Sequence, residues 1–313
     1  MVHKDSSVRL PGESAVLVCP TVFPDPEALG DAVARRIADG IAAANRSGRR
    51  YVLGCPGGRS PMTTYAALAQ LVRERSLDLS GLVIVMMDDY VEQAREAHNG
   101  SGGFVAISDD LAHSCGRFAR EVIARPLSLA AGSGRGVRPE HIWLPDPADP
   151  AAYDDRLAAV GGVDLFLLAT GASDGHVGFN PPGTPVTSGT RIVELAESTR
   201  RDNLATFPHL ASLADVPRHG VTVGIDTIRR HSASVAMLAH GPDKAESVRR
   251  LLCATGYDES WPATVICECR DAALYVDQAA MSEVGVGADD LAHGVADGVA
   301  GSGVAPPDGD EER

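Results

Sequence analysis

Three features of the chain predict a single three-layer α/β domain built on a mainly parallel sheet. Short, continuous apolar runs such as Leu82-Val83-Ile84-Val85-Met86-Met87 have the length and uniformity of strands buried on both faces. Longer segments between them carry apolar residues at helical spacing. Each run also stops abruptly in a cluster of glycine, proline, aspartate, serine or histidine. In open parallel sheets, ligands bind just beyond the strands' carboxyl ends.

From Pro26, the residues Ala28, Leu29, Ala32, Val33, Ile37, Ile41 and Ala42 recur at helical spacing, with Arg35, Arg36 and Asp39 among them. This predicts an amphipathic helix. Arg50 to Gly54 reads as a short buried strand, broken by Cys55-Pro56-Gly57-Gly58-Arg59-Ser60-Pro61, and Met62 to Arg75 as a second helix. The run Leu82–Met87 ends in Asp88-Asp89-Tyr90. Val163 to Ala169 repeats the plan and ends in Thr170-Gly171-Ala172-Ser173-Asp174-Gly175-His176. Ala233 to Ala239 is a further strand, followed by Gly241-Pro242-Asp243-Lys244 and a helix through Leu252.

From Gln278 onward Gly, Ala, Val and Asp alternate without period, and the chain closes on PPDGDEER. Such a composition cannot offset the entropy of ordering. The expected organisation is a flexible N-terminus at 1–12, a folded domain at 13–280 and a disordered acidic tail at 281–313. Ending the chain after Ala280 is accordingly expected to leave melting temperature and turnover nearly unchanged. A large loss of either would place the tail within the folded unit.

Hydrophobic residues make up 44% of the chain and charged residues 22%, as in ordinary globular proteins. The net charge of −14 argues against binding a nucleic-acid backbone, which needs clustered lysine and arginine. Half of it sits in the tail, where Glu283 to Arg313 holds eight acidic residues and one basic. The body is only mildly acidic, which leaves room for a local basic pocket. None of the six cysteines forms a C-x-x-C pair, and Cys267-Glu268-Cys269 is too tight for a zinc knuckle; in a strand its side chains would simply share a face. No basic leader followed by an apolar run and no stretch of membrane-spanning length stand out, so the expected compartment is a reducing cytoplasm.

Three polar clusters carry chemical potential. Gly57-Gly58-Arg59-Ser60-Pro61 lies between a strand and a helix, where backbone N–H groups, a hydroxyl and a helix start can hold an anion. The plainer alternative is a tight turn with Ser60 as helix cap and Pro61 at the first helical position. Lys244, opening another helix, is a second candidate anion ligand or a solvated lysine. Asp88-Asp89 ends an apolar strand, where unpaired charge is costly in a core but useful in a cleft as a general base. Either aspartate could instead cap a helix or pair with a cation. Asp174-Gly175-His176 sets a carboxylate two residues from a histidine, a proton donor and acceptor near neutral pH. A purely structural histidine is the alternative.

Together these segments resemble the glucosamine-6-phosphate deaminase and 6-phosphogluconolactonase superfamily, in order, over about residues 15–280. Leu53 to Pro61 resembles the family phosphate loop. Met87-Asp88-Asp89-Tyr90-Val91 resembles the deaminase M-D-E-Y-V, and Asp174 to Asn180 its D-G-H-I-A-F-N. Val221 to Ile225 is similar to L-T-V-G-V, and Gly241 to Lys244 to the lysine-bearing phosphate turn. The resemblance implies a Rossmann-like fold of the sugar-phosphate isomerase type. It also implies that Asp88 moves a proton between C1 and C2 of an open-chain sugar, that His176 assists ring opening and that Asp174 orients the histidine. Ser60, the backbone of Gly57, Gly58 and Arg59, and Lys244 would hold the phosphate. That chemistry runs by acid–base steps through an enediol-type intermediate, without a metal or redox cofactor. A mobile segment is expected around Arg191–Arg218.

The departures from the pattern are specific. Deaminases follow F-N with a glutamate that completes the set with the histidine and aspartate; here the position is Pro181, which deprives His176 of that partner. Phe179-Asn180-Pro181-Pro182-Gly183-Thr184-Pro185 instead resembles the lactonase L-F-P-G-T-P, whereas lactonases carry D-E-R where this chain has Asp88-Asp89-Tyr90. Ala205 stands where deaminases place a phosphate-binding arginine, after Arg200-Arg201-Asp202-Asn203, and Arg59 stands where they have glycine. The leading expectation is deamination with aldose–ketose isomerisation of an amino-sugar phosphate. Hydrolysis of a phosphorylated sugar lactone, with His176 activating water, is the first rival; a sugar-phosphate-binding module without turnover is the second. The expected partner is a small-molecule sugar phosphate, neither nucleic acid nor membrane, with homo-oligomerisation left open.

Overall fold

The computed structural model describes residues 18–94, 103–207 and 209–284. The expected flexible N-terminus, and the expected tail from 285 onward, lie outside these residues. In chain order the strands are β1 (Pro20–Phe23), β2 (Tyr51–Cys55), β3 (Leu82–Met86), β4 (Asp88–Gln93), β5 (Phe104–Ala106), β6 (Ile142–Trp143), β7 (Leu165–Ala169), β8 (Arg191–Glu194), β9 (His219–Thr222), β10 (Val235–Ala239) and β11 (Ala272–Asp277). The helices are α1 (Pro26–Arg46), α2 (Met62–Glu74), α3 (Cys115–Arg117), α4 (Arg125–Ala131), α5 (Ala151–Ala159), α6 (Glu197–Thr206), α7 (Ile225–His231) and α8 (Ala245–Cys253). A wide π-helical stretch, Phe118–Ala124, joins α3 to α4.

Seven strands form one parallel sheet in the order β1-β11-β10-β7-β2-β3-β6. The four apolar runs of the sequence are its centre, and every residue of β2, β3 and β10 is buried. Side chains alternate across a sheet. Leu53, Ile84, Met86, Leu165 and Leu167 pack with α1, α2 and α4 in one core. Val52, Val83, Val85, Phe166 and Leu168, at the alternate positions, are equally buried. Cover on both faces is why these strands read as unbroken apolar runs. α1 starts where its chemistry says it should: the Asp25 carboxylate accepts the Ala28 N–H at 2.7 Å, and Pro26 follows in the first turn. It buries Leu29, Val33, Ile37 and Ile41, one face of the helix.

A second, antiparallel sheet, β5-β4-β9-β8, is absent from the sequence reading. Asp88-Asp89-Tyr90 is not a loop cluster: the chain leaves β3, passes Met87 and enters β4 at once. Asp88 pairs with Thr222 and Tyr90 with Gly220 across to β9. These strands are short and mixed in polarity, with a small core of Tyr90, Ile107, Phe179 and Leu195, so no uniform apolar run marks them.

Ser60 does not cap α2; Pro61 holds the cap position and makes no side-chain bond there. Cys267 lies in a 3₁₀ segment, Pro262–Glu268, with Cys269 just beyond it, not in a strand. The turn after β11 belongs to the folded unit, since Ala280 is buried and donates its N–H to the Asp277 carboxylate at 2.8 Å. Among the described residues no helix is long and apolar enough to cross a membrane.

Candidate active site

A cavity of about 420 Å³ opens at the carboxyl ends of β10, β7, β2 and β3, four neighbours at the middle of the sheet. Its size suits a small ligand. Gly57, Gly58, Arg59 and Ser60 line it from the turn after β2, Asp88 from the start of β4, His176 from the turn after β7 and Lys244 from the turn after β10. The parallel sheet thus brings together groups from four separate sequence clusters. Asp174 does not line the cavity; it stands behind His176.

Asp88 and Asp89 have parted roles because side chains alternate along β4. Asp88 and Tyr90 face the cavity. The Asp88 carboxyl is 7% exposed, and burial pushes its pKa up to about 7, aided by the charge of Asp89 and opposed by the Cys115 thiol and His176. Asp89 is the helix-capping aspartate: it accepts the N–H of Cys115 at 2.9 Å, of Gly116 at 3.3 Å and of Tyr90 at 2.8 Å. Burial still lifts it to about 6 against those three bonds. Asp89→Ala would strand the buried N–H groups and is expected to cost about 2 kcal/mol in urea unfolding. An unchanged midpoint would show that the cap holds nothing.

His176 is not left without a carboxylate by Pro181. Its Nδ1 lies 2.7 Å from Asp174 Oδ1, and its backbone N–H donates to the same oxygen at 3.1 Å. Burial alone would raise Asp174; bonds from His176 and from the Ser198 hydroxyl outweigh it and hold the carboxyl far below its ordinary value. An ionised acceptor at Nδ1 keeps that nitrogen protonated and leaves Nε2 free to accept or, once charged, to donate a proton. Thr199 Oγ1 stands 3.3 Å from Nδ1. Ser198 and Thr199 belong to α6, so the segment expected to be mobile buttresses the histidine. Asp202, Asn203 and Thr206 of the same helix line the cavity.

At the other end, Gly58 adopts φ +80°, a conformation that glycine tolerates and that lets the turn bend before Ser60. Lys244 donates to the Thr170 carbonyl at 2.9 Å, and burial lowers its pKa. The pull is opposed by Asp243, Asp202 and Asp174 and reinforced by the nearby cation of Arg59. Arg59 is exposed and, among the described residues, has no ion-pair partner. Two cations therefore meet at one wall. No described group of three or more His, Cys, Asp or Glu is placed to hold a metal ion.

Cys115, Ser198, Thr199 and Asp202 join the site without a signal for it in the sequence. Ser114-Cys115 carries a helix-start signal, with the Ser114 hydroxyl accepting the Arg117 N–H at 3.1 Å. Nothing local in it indicates a cavity wall.

Residues 24–276 match the family described as glucosamine-6-phosphate isomerases/6-phosphogluconolactonase. The chain belongs to this family. A glucosamine-6-phosphate deaminase of Shouchella clausii is 31% identical over 235 residues, spanning 74% of this chain and 85% of the relative. One from an Arthrobacter species is 37% identical over 220 residues, 68% of this chain and 74% of its own. The solved structure of a monomeric glucosamine-6-phosphate deaminase overlays with a TM-score of 0.71 at 28% identity, covering 85% of this chain and 99% of that one. A 6-phosphogluconolactonase from Trypanosoma brucei shares the fold, with a TM-score of 0.60 at 20% identity over 86% of this chain and 99% of that one. Pro181, the expected departure from the deaminase motif, has a definite place. It opens a turn closed by the Thr184 N–H and hydroxyl on its carbonyl, and it does not line the cavity.

Proposed function

We propose that the protein is a deaminase and aldose–ketose isomerase for an amino-sugar phosphate of the glucosamine-6-phosphate kind, acting by acid–base catalysis in the cytoplasm. The observation that carries this reading is a buried carboxyl, Asp88, in the same cavity as the Asp174-oriented His176, where burial pushes its pKa up to about 7. A base poised at working pH is what proton transfer between adjacent carbons requires. In this scheme His176 exchanges the ring-opening proton and Asp88 carries a proton between C2 and C1. Water then replaces the amine, so that one water is consumed and one ammonia released. The phosphate is held by the Gly57–Ser60 turn with Lys244 and Arg59.

A second reading is favoured by one observation, Pro181 in a turn where deaminases supply a glutamate. His176 would then activate water against a phosphorylated lactone, with Asp88 uninvolved. Incubation with a panel of sugar phosphates and lactones, following ammonia, ketose and acid separately, tests both. Ammonia with ketose supports the proposal. Acid release supports the lactonase, and binding without product overturns both in favour of a sugar-phosphate-binding module.

A further inference from the structure

Cys115 is buried, 8% exposed, at the first position of α3, and it is one of the cavity-lining residues. Its N–H is spent on Asp89 Oδ1, which fixes the backbone and so the direction of the side chain. The thiol then lies 3.4 Å from Asp88 Oδ1, within donor distance for sulfur. The other carboxylate oxygen, Oδ2, lies over Gly178, where an added Cβ would stand 3.4 Å from it and 2.8 Å from Thr222 Oγ1. Gly178 has φ +56°, and it too lines the cavity. One oxygen is thus occupied by a sulfur donor and the other faces bare backbone.

We propose that Cys115 is a positioning residue for Asp88, its thiol holding Oδ1 so that Oδ2 alone is presented to the substrate. This rests on the reading of Asp88 as the proton carrier. The proton leaving C2 passes to Oδ2 and is returned at C1, so the carboxyl ends each cycle as it began, and the thiol keeps its own proton throughout. A thiol suits the place. Burial and the neighbouring aspartates push its pKa well up, so it stays a neutral donor and adds no second charge beside Asp88. The other ionisable groups around Asp88 are accounted for: Asp89 on the same strand, His176 beyond β7, Tyr90 on β4 and Tyr153 on α5. The Tyr153 hydroxyl is committed to the Met86 and Trp143 carbonyls at 3.0 Å each. Among the described residues neither tyrosine hydroxyl donates to Asp88, and the thiol is the one side-chain donor that reaches it.

The test compares Cys115→Ala, which deletes the donor, with Cys115→Ser, which keeps one; both retain the N–H that Asp89 needs, and melting curves establish that each folds. Carboxyl ¹³C resonances read the Asp88 titration directly in substrate-free protein, and the acid limb of kcat/KM reads it in turnover. Cys115→Ala is expected to raise the Asp88 titration by roughly half a pH unit or more, since a lost donor destabilises the ionised form. The acid limb should move by the same amount with KM little altered, and Cys115→Ser should restore both. An unmoved titration in the alanine variant, or a serine variant displaced as far as the alanine one, overturns the proposal. A titration that shifts while the acid limb stays fixed upholds the thiol contact and overturns Asp88 as the base, which separates the two failures.

Discussion

Asp88→Asn is expected to abolish turnover of the amino-sugar phosphate, by on the order of 10²- to 10⁴-fold in kcat, while leaving substrate affinity nearly intact. The amide has the shape of the carboxyl but cannot take a proton. With the wild-type protein, kcat/KM should fall as pH drops through about 7, where Asp88 protonates and the base is lost. Stability runs the other way. The folded-state value lies above the ordinary 3.8, so the folded chain binds this proton more tightly than the unfolded one. The stabilisation is complete below about pH 4 and is lost as pH rises through about 7. Asp88→Asn should therefore melt no lower than the parent at pH 8, because it removes a buried charge. A near-wild-type rate in this variant, with His176→Gln far more damaging, would exclude the proposed mechanism and favour lactone hydrolysis. A variant that is both inactive and much less stable at pH 8 would point to a structural role for the carboxylate.

Arg59→Ala is expected to weaken binding of the phosphorylated substrate by about 2 kcal/mol, or about 30-fold in Kd. The motivation is a paired departure: Ala205 in α6 stands where the deaminase motif carries an arginine, and Arg59 adds one to the phosphate turn. Without Arg59 a phosphate would meet Ser60, backbone N–H groups and Lys244, and would lack the bidentate fork a guanidinium supplies. Arg59 lines the same cavity as Lys244 and acts on its titration, so the two cations converge. The dephosphorylated sugar should bind equally well to both forms, as read by calorimetry. Equal losses for the two ligands, or none for either, would refute the compensation.

What was legible in the sequence is what short segments decide among themselves. The runs of β2, β3, β7 and β10 announce strands because both faces of the central sheet are buried, so no polar alternation interrupts them. Pro26 to Ile41 announces a helix because one face packs and the start is capped within three residues. The chemistry-bearing clusters were legible for the same reason: each sits where a buried strand meets the open end of the sheet, and parallel strands carry all such ends to one side.

The tertiary structure decided how those clusters divide the work. From sequence, Asp88 and Asp89 are equivalent neighbours. The antiparallel pairing of β4 with β9 turns one into the cavity and the other onto the start of α3. His176 seemed short of a partner once Pro181 was noted, and the fold answers with Asp174 behind it, itself bonded by Ser198, and with Thr199 beside the ring, both from a helix more than twenty residues away. The contact of Cys115 with Asp88 spans 27 residues, and none of the intervening pattern encodes it. Propensity and periodicity are properties of adjacent residues, whereas the ionisation of a buried carboxyl depends on which distant groups surround it after the chain has closed.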